Sequence, residues 1–322
     1  MKVLQLIDSL DAGGAERYAI SLANGLVQEI EQSYLVVTRK EGILKKQLDA
    51  KVSYIFLGKK HAFDWNALSK LKNLIQDQGI DCIHAHGTSF FFATLVKLRY
   101  PKVQLIWHNH SGASPQWKGL RLQTIKWASG YFKAIINVNQ EQLTWAKQKL
   151  KTKSTVYIAN FVGDITTHNL DIELAGDPDY RIIALANLRT PKGHRFLVET
   201  FHKVQQQFPQ ATLHLVGRDY EDAYSNDLKQ YIQEHSLEQA VFIHGVQENP
   251  QAFLHACSVG VLGSSSEGLP MSLLEYGMAG LAVVTTAVGH CPEVVGSFGK
   301  VTPYGQIDAF AKAMLYLSLI HI

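Results

Sequence analysis

The sequence is short of several things that would have named a class at once. Its three cysteines, Cys82, Cys257 and Cys291, lie far apart with neither disulfide nor metal spacing. That excludes a disulfide scaffold and fits a reducing, cytoplasmic compartment. No apolar run approaches the roughly 20 residues needed to cross a bilayer. The start, Met1-Lys-Val-Leu-Gln-Leu-Ile-Asp8, has too short an apolar run for a signal peptide. Contact with a membrane is therefore expected only from one side. Charge of one sign is also lacking: 31 Lys and Arg face 28 Asp and Glu, too even a balance to suggest a nucleic-acid binder. The G-x-G-x-x-G dinucleotide fingerprint is missing after the first strand, so a nicotinamide cofactor gains little support.

What is present is an alternation of short apolar strands and amphipathic helices, repeated in both halves of the 322 residues. The length predicts roughly two domains, each able to bury its own core. Periodicity breaks over residues 161–180, where Gly163, Asp164, Gly176, Asp177 and Pro178 cluster. The expected division is 1–165 and 166–322, each α/β with a parallel sheet.

The most informative stretch is 259–286. A buried strand leads into Ser264-Ser-Ser-Glu267-Gly268-Leu269-Pro270, then a helix over 271–279, a terminating Gly280 and a second buried strand. A helix N-terminus carries unpaired N–H groups and a partial positive charge, which suits a phosphate or a polyhydroxylated ligand. Glu267 sits in the turn and Glu275 eight residues on, about 12 Å along a continuous helix. Such carboxylates cannot share a proton or a metal; they grip two parts of one long ligand.

Other strand ends carry chemistry too. Asp11-Ala-Gly13-Gly14 precedes the first helix, and paired glycines there let the backbone approach a ligand closely. His84 and His86 fall on one face of a strand, with no third metal ligand at a matching spacing, so cleft-lining or hydrogen-bonded roles are preferred. His108 and His110 end the next strand. Arg189 and Lys192-Gly193 occupy a strand-to-helix turn, a suitable place for two cations to hold a diphosphate. Over 116–135 a helical pattern interleaves Lys118, Arg121, Lys126 and Lys133 with Trp117, Leu120, Leu122, Ile125 and Trp127, and Lys147, Lys149, Lys151 and Lys153 follow. This composition suits an anionic membrane surface and equally an ordinary amphipathic surface helix.

Glu267 and Glu275, with seven residues between them and set in Ser-Glu-Gly-Leu-Pro and Leu-Leu-Glu-Tyr-Gly, resemble the signature of retaining nucleotide-sugar glycosyltransferases of the GT-B fold, group 1 or family 4. The resemblance spans nearly the whole chain and is weakest over 40–80 and at the C-terminus. It implies two Rossmann-like, doubly wound domains facing a cleft, acceptor on the first and nucleotide-sugar donor on the second. It places Gly13 and Gly14 by the donor diphosphate and His108 on the acceptor side, orienting sugar or acceptor. Arg189 and Lys192 contact the phosphates and assist leaving-group departure, with Gly193 in the same turn; Asn187 is the alternative occupant of the Arg position. Glu267 accepts from donor-sugar hydroxyls beside Gly268, Leu269 and Pro270, Glu275 from ribose hydroxyls, and His244, Gly245 and Val246 border the base. The implied reaction moves a hexose or N-acetylhexosamine to a hydroxyl of a saccharide or lipid-linked acceptor, with no metal and no cofactor. Residues 116–135 and 147–153 would rest on the inner membrane face. Relatives continue some tens of residues past the apolar 317–322 tail, so the C-terminal end reads as truncated or foreign. A nucleotide-sugar epimerase and a catalytically idle nucleotide-sugar-binding subunit are the alternatives.

Overall fold

The computed structural model describes residues 1–11, 13–111, 114–162 and 172–320, with the backbone alone over 318–320. The chain divides into two compact units, Met1–Gly163 and Asp164–Ile322. Part of the expected linker, 163–171, lies outside the described residues.

The first unit opens with β1 (Lys2–Ser9), α1 (Gly14–Leu26), β2 (Gln32–Lys40), β3 (Ser53–Phe56) and α2 (Trp65–Gln78). It continues with β4 (Cys82–His86), α3 (Phe90–Arg99), β5 (Gln104–Asn109), α4 (Gly119–Ala128), β6 (Ala134–Asn137), α5 (Gln140–Lys149) and β7 (Thr155–Tyr157). Its seven strands run in the order β3-β2-β1-β4-β5-β6-β7, every pairing parallel. Helices cover both faces of such a sheet, which is why strands such as Val3–Leu6 are apolar without alternation. Local signals set the helix ends. Asp64 caps α2 by accepting from the Ala67 N–H at 3.0 Å, and Gly79 ends it in the left-handed region at φ 63°. Asn139 caps α5 in the same way, accepting from the Gln142 N–H.

The helical pattern of 116–135 is corrected by the structure. The helix ends at Ala128, a 3-10 turn covers Ser129–Tyr131, and Ile135 belongs to β6. Ser129 and Gly130 stop the helix, and the apolar residues beyond them that matched its period are strand residues facing the core. Trp107, wholly buried, anchors that core between Phe90, Phe132 and Trp117.

The second unit runs β8 (Arg181–Leu185), α6 (His194–Gln207), β9 (Thr212–Val216), α7 (Ala223–Glu234), β10 (Val241–Gly245) and α8 (Pro250–His255). Then come β11 (Val259–Leu262), α9 (Met271–Met278), β12 (Ala282–Thr286), α10 (Cys291–Val295), β13 (Gly299–Thr302) and α11 (Ile307–Ile320). Strand order is β10-β9-β8-β11-β12-β13, again all parallel. The order reverses direction between β8 and β11, and likewise between β1 and β4 in the first unit. In open α/β sheets, ligands bind beyond the carboxyl ends of strands at such switch points.

Candidate active site

In the second unit the carboxyl ends of β8 and β11 bring the Lys192 turn against the Glu267 turn. Lys192 Nζ lies 2.6 Å from Glu267 Oε1, and the Ser264 hydroxyl donates to the same oxygen at 2.6 Å. Both side chains are largely buried, 17% and 9% exposed, so the pair is poorly screened. The turns are locked together by main-chain bonds. Ser265 N–H donates to the Pro191 carbonyl, and the Thr286 hydroxyl to that of Ser264. Gly193, at φ 64°, starts α6 so close to β11 that a Cβ there would stand 2.0 Å from the Gly263 carbonyl oxygen. Gly289 is required in the same sense, since a Cβ would meet the Glu267 carbonyl at 2.1 Å. Two strand-to-helix turns 75 residues apart in sequence thus form one surface.

Glu275 is on α9, 4% exposed, in the helix that Pro270 precedes as N-cap residue. The adjacent Tyr276 fixes that helix to the sheet: its hydroxyl donates to the Val261 carbonyl at 3.1 Å and accepts from the Leu185 N–H at 2.7 Å. Of the Gly268-Leu269-Pro270 turn, only the first two residues have an N–H to offer. Gly268 also accepts from the His290 N–H at 3.1 Å. Asn187 accepts from the Arg218 N–H, which holds its amide toward β9, whereas Arg189 is exposed with no ion pair among the described residues. His244 stacks on buried His214, their ring nitrogens 2.9 Å apart, and half-buried Gly245 and Val246 follow at the end of β10. A cavity of about 320 Å³ nearby is lined by Thr190, Gly193, Phe196 and Tyr304, but by none of Lys192, Glu267 or Glu275.

The remaining expected residues belong to the first unit. Gly13 is the N-cap of α1 and Gly14 its first residue, beyond the end of β1. Gly13 is extended at φ −162°, and a Cβ there would meet only the movable carboxylate of Glu16. His108 is wholly buried at the end of β5, and neither ring nitrogen has a partner among the described residues. A third imidazole, absent from any local spacing, does join His84 and His86. Strand register sets His86 beside His108, and the ligand nitrogens of all three lie within 4.8 Å of one another. Sequence reasoning missed it because the partner is a strand neighbour, 22 residues on.

The rings of this layer lie nearly parallel. They stack: His84 on His108 at 16°, His86 on His108 at 22°, His108 on His110 at 13°. Tyr18 of α1 packs edge-on against His108, and Gln5 Oε1 and His110 hold the two nitrogens of His86. Burial pushes His84 down to about 4 and His110 to about 3, and holds His86 and His108 well below the ordinary imidazole value. The layer is a stack of neutral bases.

The family description Glycosyl transferases group 1 matches residues 179–318, and Glycosyltransferase Family 4 matches residues 12–164. The chain belongs to the group 1/family 4 glycosyltransferases. The O-antigen biosynthesis glycosyltransferase WbnH of Escherichia coli is 24% identical over 312 residues, 94% of this chain and 86% of that one. An uncharacterized glycosyltransferase of Haemophilus influenzae is 23% identical over 286 residues, 85% and 76% of the two chains. Among solved structures, Anabaena HepE in complex with UDP-glucose superposes with a TM-score of 0.76 at 20% identity, covering 100% of this glycosyltransferase and 94% of HepE. TarM of Staphylococcus aureus, crystallised with fondaparinux, alpha-GlcNAc-glycerol and UDP, gives 0.78 at 13% identity, covering 99% and 92%. These likenesses establish the GT-B fold.

Proposed function

We propose that this glycosyltransferase moves a hexose or N-acetylhexosamine from a nucleoside diphosphate to a hydroxyl of a saccharide or lipid-linked acceptor, with retention at the anomeric carbon. The observation that carries the reading is the Lys192–Glu267–Ser264 cluster, a poorly screened cation and carboxylate at the switch point of the second sheet. A donor diphosphate competes with Glu267 for Lys192, and exposed Arg189 adds a second, bidentate cation. Both stabilise charge that grows on the leaving diphosphate, in a site that excludes much of the water. Released from Lys192, Glu267 takes donor-sugar hydroxyls as hydrogen-bond donors, while Glu275 takes those of the ribose. His108, wholly buried with unpartnered nitrogens, acts on sugar or acceptor through the side chains packed on it, Tyr18 among them. Lys192 and Arg189 supply the charge that a metal ion supplies elsewhere, so transfer proceeds in chelator.

HepE is crystallised with UDP-glucose and WbnH is named for O-antigen biosynthesis, so UDP-sugars and saccharide acceptors are the first to try. Among the described residues no helix is long and apolar enough to cross a membrane, and a lipid-linked acceptor would be reached from the inner face. The test is incubation with a panel of nucleotide sugars, with and without acceptors, following nucleotide release and product anomers in the presence of EDTA. Acceptor-dependent release with retained configuration is expected. An isomerised donor, or binding without turnover, overturns the reading.

A further inference from the structure

The first unit holds a buried ion pair to which the expected site gives no role. Asp8 is the penultimate residue of β1, and three neighbouring strand ends converge on its carboxylate. The Thr38 hydroxyl of β2 donates to Oδ1 at 2.5 Å, and the Thr88 hydroxyl, in the turn after β4, to Oδ2 at 2.6 Å. Lys59 Nζ, from the turn after β3, lies 3.5 Å from Oδ1, and Arg39 Nε lies 3.8 Å from it. Since β3, β2, β1 and β4 are neighbours, the pair stands at the carboxyl ends of the strands, beside the switch point of the first sheet.

The pair is not closed on itself. The Lys59 side chain is 4% exposed, yet among the described residues its three N–H groups meet only that distant oxygen and the face of Phe92, 4.5 Å from the ring centre. The backbone fixes its place, because the Lys59 N–H donates to the Thr38 carbonyl at 2.6 Å. The Asp8 side chain is 24% exposed, and Oδ2 accepts from Thr88 alone among the described residues, which leaves it a lone pair. Burial raises the Asp8 carboxyl, but the two hydroxyls and the charges of Lys59 and Arg39 outweigh it and hold the group below its ordinary value, so it stays an anion. A buried ion pair adds little to stability over apolar residues of the same volume. Spare hydrogen-bonding capacity at the ligand edge of a sheet therefore points to a ligand.

We propose that Asp8 and Lys59 form an acceptor subsite that reads two adjacent hydroxyls of a saccharide, Asp8 Oδ2 accepting from one and the Lys59 ammonium donating to the oxygen of the other. A hydroxyl carries one donor and two lone pairs, so a carboxylate beside an ammonium fits a vicinal diol with its charge already balanced. A phosphate would suit Lys59 and Arg39 but would meet the Asp8 carboxylate that both already face, a like-charge contact. Thr38 and Thr88 hold that carboxylate in place, so little freedom is lost on binding. The subsite rests on the proposed function for its place in the reaction and narrows it: the first unit recognises a sugar ring rather than a lipid phosphate.

The test is binding to the whole chain, without sugar nucleotide, by saturation-transfer difference NMR. The probes are methyl α-glucoside, methyl α-galactoside and methyl α-mannoside, each with its monodeoxy analogues. The wild type is expected to bind at least one glycoside and to lose about tenfold when either of two adjacent hydroxyls is removed. Asp8→Asn and Lys59→Met should each weaken the parent glycoside by about tenfold. Asp8→Asn with Lys59→Met leaves no buried charge alone; it should keep the circular dichroism spectrum and bind parent and deoxy glycosides alike. Equal affinity of the wild type and the double variant overturns the proposal. So does an equal loss for the parent and every deoxy analogue, which is what a merely structural pair would give. Absence of glycoside binding by the wild type, with or without inorganic phosphate bound instead, overturns it as well. Nucleotide release is measured separately: diol-dependent binding without any release overturns the proposed function while supporting the subsite.

Discussion

Acidification from pH 7.5 to pH 5 should destabilise the first unit by several kcal/mol, because its stacked imidazoles are buried as neutral bases. A histidine in the unfolded chain has a pKa near 6.5 and is mostly protonated at pH 5. In the folded unit burial holds His84 at about 4 and His110 at about 3, so both stay neutral there. Between those values and 6.5 the unfolded chain binds more protons than the folded one. Stability is therefore intact above 6.5, falls as pH falls through 6.5, and stops falling only below the folded values. At pH 5 the unfolded pKa is 1.5 units above the solution, worth about 2 kcal/mol for each histidine. His84 and His110 give about 4 kcal/mol together, and His86 and His108 act in the same direction. A domain holds only about 5–15 kcal/mol in all.

Urea titrations at pH 7.5, 6 and 5 would measure this, followed by near-ultraviolet circular dichroism of the core tryptophans Trp107, Trp117 and Trp145. A H84N/H110N variant should show a flatter dependence by about 4 kcal/mol between the extremes. Proton NMR gives an independent check, since imidazole C2 protons of these residues should not shift between pH 7.5 and 5 in the folded protein. Equal urea midpoints across that range, or buried imidazole signals titrating near 6.5, would refute the reasoning.

Three further outcomes follow from the second unit. Lys192→Ala removes the cation at the proposed leaving group and should lower turnover at saturating donor by about 10²–10³; an unchanged rate removes Lys192 from the mechanism. Gly193→Ala combines a left-handed backbone at φ 64° with a Cβ 2.0 Å from a carbonyl oxygen, and should cost at least about 2 kcal/mol in urea unfolding. Tyr276→Phe leaves the buried Leu185 N–H and Val261 carbonyl without their shared hydroxyl, a loss of about 1–3 kcal/mol that thermal denaturation would show; an unaltered midpoint would mean the two groups find other partners.

Legibility from sequence tracks the distance over which a feature is decided. Strands and helices are set within a few residues, by continuous apolar runs and by caps such as Asp64 and Gly79, and these are readable. The Ser264–Pro270 turn is readable for the same reason, being one contiguous strand-to-helix unit. The 116–135 helix is misread where two periodicities overlap, since an apolar strand after Ser129-Gly130 continues the count of the helix before it. Residues brought together by register leave no local trace. His108 joins His84 and His86 because β4 and β5 are neighbours, and Lys192 meets Glu267 because β8 and β11 are.

The same distinction decides what the charges do. Lys151 and Ser129 are 22 residues apart, and the bonds between them turn two modest basic clusters into one face. Charge on a folded surface acts by area and sign within a Debye length, about 10 Å in dilute salt, so its effect depends on which residues share a face rather than on the total. The total of +3 therefore hides two units of opposite sign, +11 over 1–163 and −8 over 164–322, and any attraction of the first unit to an anion should weaken as the ionic strength rises.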